Sequence, residues 1–281
     1  MTVDAARRDW RGRLFTLLIV LVVSVLAALW LFPFVWAVVV SFKDPSEIVT
    51  DIWALPDRLI WDNYASAFDG LNYVRSLGNS LFVATSAALL QCVTGTLAAY
   101  AFARIVFPGR EILFTLFLAT LMIPTTVTLT ANFLILQNFG WIDTYAALIV
   151  PQAASGFAIF LLRQFFLTIP NELQDAARMD GAGHLRFLWH VVVPLSRPAL
   201  TTVFVFIFIT NYNEFLWPLI MTSSEDMRVI QIALSTYTAT EGITDFGPFM
   251  AAAVLTLLPT VILFAFLQRA FVRGITRTGI K

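Results

Sequence analysis

The stretch from Leu14 to Val40 contains no charged residue, and all but three of its side chains are apolar. A membrane-spanning helix needs about 20 mostly apolar residues, so this run is long enough to cross a bilayer. A cleavable secretory signal has an apolar core of only about 7–15 residues and a small-residue cleavage site. The run is too long for that and lacks such a site, so we expect it to be a retained first span.

Further apolar runs follow along the 281 residues, of which 59% are hydrophobic and 13% are charged. Soluble domains are usually about 45–50% apolar and about 25% charged, so this composition indicates an integral membrane protein. We predict an all-α membrane protein with one transmembrane domain over residues 1–281. The predicted spans are 14–40, 79–102, 112–136, 145–166, 199–221 and 249–272, with 41–78, 137–144 and 222–248 as the loops on one side.

Basic residues are distributed unevenly between the two sides of this arrangement. Fourteen of the 18 Lys and Arg residues precede the first span, lie in 104–111 or 163–198, or lie between 269, near the end of the last span, and 281. The other four lie in the three opposite loops. Because an excess of Lys and Arg marks the cytoplasmic side, we expect both termini and the loop 163–198 to be cytoplasmic.

Several classes of chemistry are disfavoured by the residue inventory. The single cysteine, Cys92, allows no internal disulfide. Two histidines, His184 and His190, are too few and too far apart for a convincing metal site. No Gly-x-x-x-x-Gly-Lys-Ser/Thr loop is present, so the chain is not expected to bind ATP itself. We therefore expect no cofactor on this chain, no catalytic role and no nucleic-acid partner.

The longest polar insert with arginine at its borders is Arg163–Pro198. Asn171 and Gln174 resemble a capping pair at the start of a helix, and Gly181 stands where a C-terminal cap would fall. An isolated helix of about ten residues is not stable in water, so this helix needs a surface or a partner to rest on. The residues alone leave two readings open, a docking helix and an ordinary amphipathic helix at the membrane surface.

A resemblance to a known family bears on that choice. The string LQDAARMDGAGHLRFLWHVVVPL, residues 173–195, resembles the cytoplasmic EAA loop of importer permeases of the ATP-binding-cassette class. Asp175 with the two following alanines stands at its Glu-Ala-Ala, and Gly181 at its glycine. Four other segments are similar to carbohydrate-uptake permeases of the maltose and glycerol-3-phosphate type. They are FARIVFPGR (102–110), MIPTTVTL (122–129), NEFLWPL (213–219) and QRAFVRGIT (268–276). Two departures are Asp175 in place of Glu, which keeps the charge, and Tyr212 in place of the usual Trp.

The resemblance implies a type I importer permease in the bacterial cytoplasmic (inner) membrane. Such a chain pairs with a homologous second permease above two ATPase subunits, which bind ATP and Mg. A solute-binding protein delivers the substrate on the outer side. In this arrangement a coupling helix seats in the ATPase, the loop 222–248 reaches toward the binding protein, and the tail 273–281 contacts the ATPase. The implied coupling residues are Glu172, Asp175, Ala176, Ala177, Met179, Asp180, Gly181 and Ala182.

Polar residues within the spans are candidates for the translocation path, since ionisable side chains in membranes usually face a cavity or a partner. Glu214 is the one acidic residue within a predicted span, and Asn211 and Asn213 lie close to it in sequence. A purely structural role for this patch is an equal alternative. Weaker candidates are Gln91, Thr125, Thr126 and Asn132.

The predicted function is transport of a sugar, a related polyol or a glycerophosphate, with ATP hydrolysis on a separate subunit. A self-sufficient secondary transporter is the alternative, although such proteins usually show internal repeats and charged midplane sites. No clear repeat is visible here, and Glu214 stands alone. A membrane-embedded enzyme is disfavoured, because the spans contain no paired acids or nucleophile–base set.

Overall fold

The structure is a computed structural model that describes the backbone of residues 3–70, 72–239 and 246–278. Side chains are described for residues 12–70, 72–235 and 246–268. All regular structure in these ranges is helical, which confirms the predicted all-α class. The predicted ATPase contact of the tail 273–281 and the middle of the outer loop, 240–245, lie outside the described side chains.

Fifteen α-helices are found in the described ranges. They are α1 (Val3–Val40), α2 (Pro45–Thr50), α3 (Asp62–Gly70), α4 (Tyr73–Arg104), α5 (Arg110–Thr120), α6 (Thr125–Asn138), α7 (Tyr145–Ile149), α8 (Gly156–Leu167), α9 (Asn171–Met179), α10 (His184–Phe187), α11 (Val193–Leu195), α12 (Arg197–Tyr212), α13 (Leu216–Met221), α14 (Ile230–Ala239) and α15 (Phe246–Thr278). Short 3₁₀ turns occupy Val150–Gln152 and Glu225–Met227, and a π-helical turn occupies Leu188–Val192.

Three described helices are long and apolar enough to cross a membrane unaided, namely Gly12–Val40, Tyr73–Arg104 and Phe246–Gln268. Three further candidates are bent pairs. Arg110–Thr120 and Thr125–Asn138 meet at 94°, Tyr145–Gln152 and Gly156–Leu167 at 42°, and His184–Leu195 and Arg197–Tyr212 at 80°. By length and composition, the described residues thus contain up to six spans.

Proline explains the sharpest of these bends, but not every proline interrupts its helix. Pro124 has φ −61° and ψ 132° and precedes α6 directly. It lacks an N–H and biases the residue before it away from helical geometry, so α5 cannot run on into α6. Pro33 and Pro259 lie inside α1 and α15, which continue past them. α15 therefore runs through Pro259 without interruption.

The chain groups into two compact units, Met1–Gly70 with Tyr237–Leu255 and Leu71–Thr236 with Thr256–Lys281. In the first unit, Lys43 is fully buried and its Nζ donates to the carbonyl oxygens of Asp51 at 2.9 Å and Ile52 at 3.0 Å. Asn63 Nδ2 donates to the carbonyl oxygens of Ser41 and Lys43, each at 2.9 Å. These bonds fold the polar segment after α1 into a fixed arrangement with α3.

In the second unit, α4 is the central helix and packs along both α8 and α12. The approach to α8 is close at Gly95, where an added Cβ would lie 3.0 Å from Cβ of Ala158. Small residues favour such close packing between membrane helices. An apolar cluster near the start of α4 consists of Val83, Leu136, Ala147, Leu148, Met221, Val229 and Ile232.

Candidate coupling loop and polar cavity

The predicted docking segment forms a short helix with a well-defined end. α9 begins after Pro170 and ends at Met179, and Gly181 follows with φ +76°. Ala182 N donates to Ala177 O at 2.8 Å and Gly181 N donates to Arg178 O at 3.0 Å. This bonding pattern is a Schellman motif, which requires the left-handed conformation that glycine adopts most readily. The predicted capping position of Gly181 is therefore confirmed.

The surface of α9 is largely exposed on this chain. Gln174 is its only buried residue, whereas Met179 is 87% exposed. Among the implied coupling residues, Ala177 and Ala182 are half-buried and the other six are exposed. The only ion pair within α9, Arg178 to Asp175 at 3.9 Å, is between exposed side chains and contributes little to stability. The segment thus offers a small, accessible surface rather than a packed one.

The predicted capping pair of Asn171 and Gln174 is wrong. A buried arginine binds the Asn171 side chain instead. Asn171 makes no capping bond, because Oδ1 of its side chain accepts from Nη1 of Arg104 at 2.6 Å. Arg104 Nη2 also donates to the carbonyl oxygens of Phe166 and Ile169. Arg104 is only 8% exposed, and a buried guanidinium is tolerated when acceptors surround it in this way.

Three helix breaks meet around one cavity of about 440 Å³. The lining comes from the bend between α5 and α6, the turn between α7 and α8, and the turn between α12 and α13. Its residues are Thr120, Ile123, Thr125, Thr126, Thr128, Leu129, Asn132, Pro151, Gln152, Ala154, Glu214, Leu216 and Trp217. Irregular backbone at membrane depth is tolerated only where it is buried in protein or lines a water-filled cavity.

Glu214 is the one charged residue in this lining. Its Oε1 accepts from the backbone N of Trp217 at 3.3 Å, at the start of α13, where a carboxylate also favours the helix dipole. The indole Nε1 of Trp217 donates to Ala147 O at 3.1 Å, which fixes that ring at the cavity wall. The cavity therefore combines hydroxyls, amides, one carboxylate and one aromatic face.

Comparison with known proteins identifies the family. Residues 91–277 match the family described as "Binding-protein-dependent transport system inner membrane component". The chain belongs to this family.

Two curated relatives show how far the similarity of this permease extends. It is 36% identical over 265 residues to the sn-glycerol-3-phosphate transport system permease protein UgpE of Yersinia pestis bv. Antiqua, covering 92% of this chain and 94% of the relative. It is 32% identical over 248 residues to the diacetylchitobiose uptake system permease protein NgcG of Streptomyces coelicolor, covering 87% and 82%. The permease is thus an inner-membrane subunit of a binding-protein-dependent ATP-binding-cassette importer, as predicted.

Solved structures support the fold of the permease. A chain of a bacterial ABC transporter involved in the import of the acidic polysaccharide alginate matches with a TM-score of 0.83 at 21% identity, covering 93% of this chain and 98% of that one. A second structure shows the bacterial alginate ABC transporter in complex with an alginate pentasaccharide-bound periplasmic protein. It matches with a TM-score of 0.65 at 16% identity, covering 99% of both chains. Likeness at these identities concerns the fold alone.

The structure brings some of the predicted path residues together and separates others. Glu214, Thr125, Thr126 and Asn132 all line the cavity of the permease, whereas Gln91, Asn211 and Asn213 do not. Gln91 is buried in α4. The amides of Asn211 and Asn213 donate to carbonyl oxygens one turn earlier in α12, Ile207 at 2.8 Å and Ile209 at 2.9 Å. These two asparagines therefore satisfy the backbone of their own helix.

Sequence reasoning missed two further groups of polar residues. Gln152 lies in the turn before α8 and lines the cavity, and its only sequence signal was the neighbouring Pro151. Arg104 and Tyr100 lie at the end of α4 and contact the docking segment, which is more than 60 residues away in sequence. Among the described residues, no group of three or more His, Cys, Asp or Glu side chains could hold a metal ion.

Proposed function

We propose that this permease pairs with a homologous second permease and that a dimer of ATPase subunits docks beneath them on residues 172–183. An outer solute-binding protein would deliver the substrate, and both termini of the permease would be cytoplasmic. The exposed α9 with its Schellman end carries this proposal. The concentration of basic residues supports a cytoplasmic position for this segment. The sequence also contains no phosphate-binding loop, so ATP must act through another subunit.

We further propose that the polar cavity of about 440 Å³ is this chain's half of the translocation path. In secondary transporters, substrate sites often lie where broken helices meet, and three helix breaks likewise meet at this cavity. Closure of the ATPase dimer would move α9 as a rigid body, and the attached helices would then change which side of the membrane the cavity faces.

The lining also supports a choice among substrates. Hydroxyl and amide groups exchange hydrogen bonds with sugar hydroxyls, and the fixed indole of Trp217 offers an apolar face to a sugar ring. The sole charge, on Glu214, repels a phosphate group and accepts bonds from hydroxyls. An uncharged sugar or polyol therefore fits this half of the path better than a glycerophosphate.

The deciding experiment uses the whole complex in lipid vesicles together with its binding protein. We expect an uncharged sugar such as diacetylchitobiose, but not glycerol 3-phosphate, to raise ATP hydrolysis and to be taken up. Ala177→Arg, which adds bulk and charge to the half-buried side of α9, should leave the permease in the membrane but lose the ATPase. Uptake driven by an ion gradient without ATP would instead favour a secondary transporter.

A further inference from the structure

The last turn of α4 holds the segment that leads into the coupling helix α9. Arg104 donates to the carbonyl oxygens of Phe166 and Ile169, which lie just before α9, and to Asn171, the first residue of α9. A guanidinium is planar and presents its donors in a fixed fork, so three acceptors at once define its position closely. One arginine of α4 therefore fixes the point where the coupling helix begins.

The far end of the coupling helix is held by the same helix. Tyr100, one turn before Arg104, is buried, and its hydroxyl lies 3.0 Å from Nδ1 of His184. His184 is the first residue of α10, directly after the turn that ends α9. Gln174, the one buried residue of α9, lines a small cavity of about 50 Å³ together with Tyr100 and His184. Side chains of α4 thus contact the first residue of α9 and the first residue of α10, on either side of the coupling helix.

The backbone connections of α9 to the neighbouring helices are short non-helical segments. Thr168–Pro170 separates α9 from α8, and Gly181 and Gly183 separate it from α10. Gly181 closes the Schellman motif that ends α9, and Gly183 follows it in an extended conformation. Besides these covalent connections, the hydrogen-bonded contacts at two points give a displacement of α9 a direct route to α4.

The same helix also reaches the cavity. Ten residues before Arg104, which is about 15 Å along an α-helix, Thr94 Oγ1 donates to Ala153 O at 2.6 Å. Ala153 lies in the turn before α8, between Gln152 and Ala154, which both line the cavity. We propose that α4 carries the motion of the coupling helix to the cavity, with Arg104 and Thr94 as its positioning residues. This inference rests on the proposed docking of an ATPase at 172–183.

The test measures how far motion at the coupling helix reaches the cavity, and it does not depend on knowing the substrate. Asn132 in the cavity wall is changed to cysteine in a Cys92→Ser background, and its rate of modification by N-ethylmaleimide is measured in the assembled transporter. Without further changes, we expect a non-hydrolysable ATP analogue to alter this rate. Arg104→Gln or Thr94→Val should reduce the analogue-induced change by about tenfold, a typical size for coupling between sites.

Two comparisons keep the outcome interpretable. Arg163 is a matched control, since its guanidinium donates to Phe102 O at 3.3 Å and to the Glu111 carboxylate at 3.1 Å, not to the coupling segment. Arg163→Gln should leave the response intact.

If Arg104→Gln does not assemble, Asn171→Ala and Tyr100→Phe, which each remove one bond, take its place. The double variant of Arg104 and Thr94 should be no worse than either single one.

Each result decides a different question. An equal loss in Arg163→Gln, or an unchanged response in both Arg104→Gln and Thr94→Val, overturns the role of α4 while leaving the importer intact. No response to the analogue in the starting protein, with the ATPase bound, counts against the proposed coupling itself.

Discussion

At the scale of single residues, Gly181 shows how one backbone angle shapes the docking surface. Its φ of +76° permits the two bonds that end α9, and an added Cβ would meet no atom within 4 Å. A substitution there is therefore costly through backbone conformation, not through steric contact. Gly183, two residues later, has φ −74° and equally open surroundings, so it provides a matched control.

We expect Gly181→Ala to weaken docking of the ATPase and Gly183→Ala to leave it nearly unchanged. The left-handed conformation costs a non-glycine residue roughly 1–2 kcal/mol, which corresponds to a factor of about 5–30 in an equilibrium. The measurement is the affinity of the purified permease complex for its ATPase. Equal weakening by both substitutions would mean that the conformation at Gly181 is not what docking requires.

Asp143 illustrates a residue whose charge orders a loop. Its Oδ1 accepts from the backbone N of Ser223 at 2.9 Å and of Ser224 at 3.1 Å. These bonds favour the carboxylate and hold the pKa of Asp143 below its ordinary value. Because the folded pKa is the lower one, this contribution to stability is present above about pH 4 and is lost as the pH falls through the folded pKa.

The prediction is that Asp143→Ala lowers the Tm of the purified permease by a few degrees at pH 7. Asp143→Asn keeps an oxygen acceptor and tolerates the φ of +63° found at this position, so it should stay close to the unsubstituted protein. Between pH 5 and pH 3, the Tm difference between the unsubstituted protein and Asp143→Ala should shrink. A constant difference over that range would show that the carboxylate does not order the loop.

At the scale of elements, the packing of α4 on α8 depends on Gly95. A Cβ at this position would come within 3.0 Å of Ala158, whereas a Cβ at Gly78 of the same helix would meet nothing within 4 Å. We expect Gly95→Ala to lower the Tm and Gly95→Val to lower it further. Overpacking of this kind reduces the free energy of unfolding by about 1–3 kcal/mol. Gly78→Ala should be neutral or stabilising, since alanine favours a helix by up to about 1 kcal/mol.

Thermal unfolding of the three variants in detergent gives the comparison. Equal stability of Gly95→Ala and Gly78→Ala would show that the packing of α4 on α8 does not depend on a glycine at position 95.

The helices themselves could be predicted from apolar runs, but their breaks could not. Pro124 was visible in the sequence, yet proline also occurs inside α1 and α15, which stay continuous. What distinguishes the 94° bend is its surroundings, where threonines and the cavity accommodate the interrupted backbone. The capping pair at Asn171 was predicted wrongly and Arg104 was missed because their contacts join residues distant in sequence. Nothing near Arg104 indicates that its acceptors lie 62–67 residues away.

At the scale of the whole molecule, the predicted cytoplasmic side and the cavity differ in charge. Fourteen of the 18 basic residues are predicted to face the cytoplasm, whereas the cavity lining contains a single charge, the carboxylate of Glu214. A basic face orients the chain in the membrane. A cavity with one negative charge instead selects against anions among the solutes that enter it.

This difference can be measured with charged thiol reagents on Asn132→Cys in the Cys92→Ser background. A cationic methanethiosulfonate should react faster than an anionic one, because charge repulsion in a partly hydrated site is worth on the order of 1–2 kcal/mol. Glu214→Gln keeps an oxygen for the N–H of Trp217 and removes only the charge, so it should lower the ratio of the two rates by about tenfold. Val106→Cys, at a position that is 91% exposed and outside the cavity, should give the same ratio with and without Glu214→Gln. If the ratio at Asn132→Cys is also unaffected, Glu214 does not set the charge of the path, and a glycerophosphate becomes as good a substrate for this half of it as an uncharged sugar.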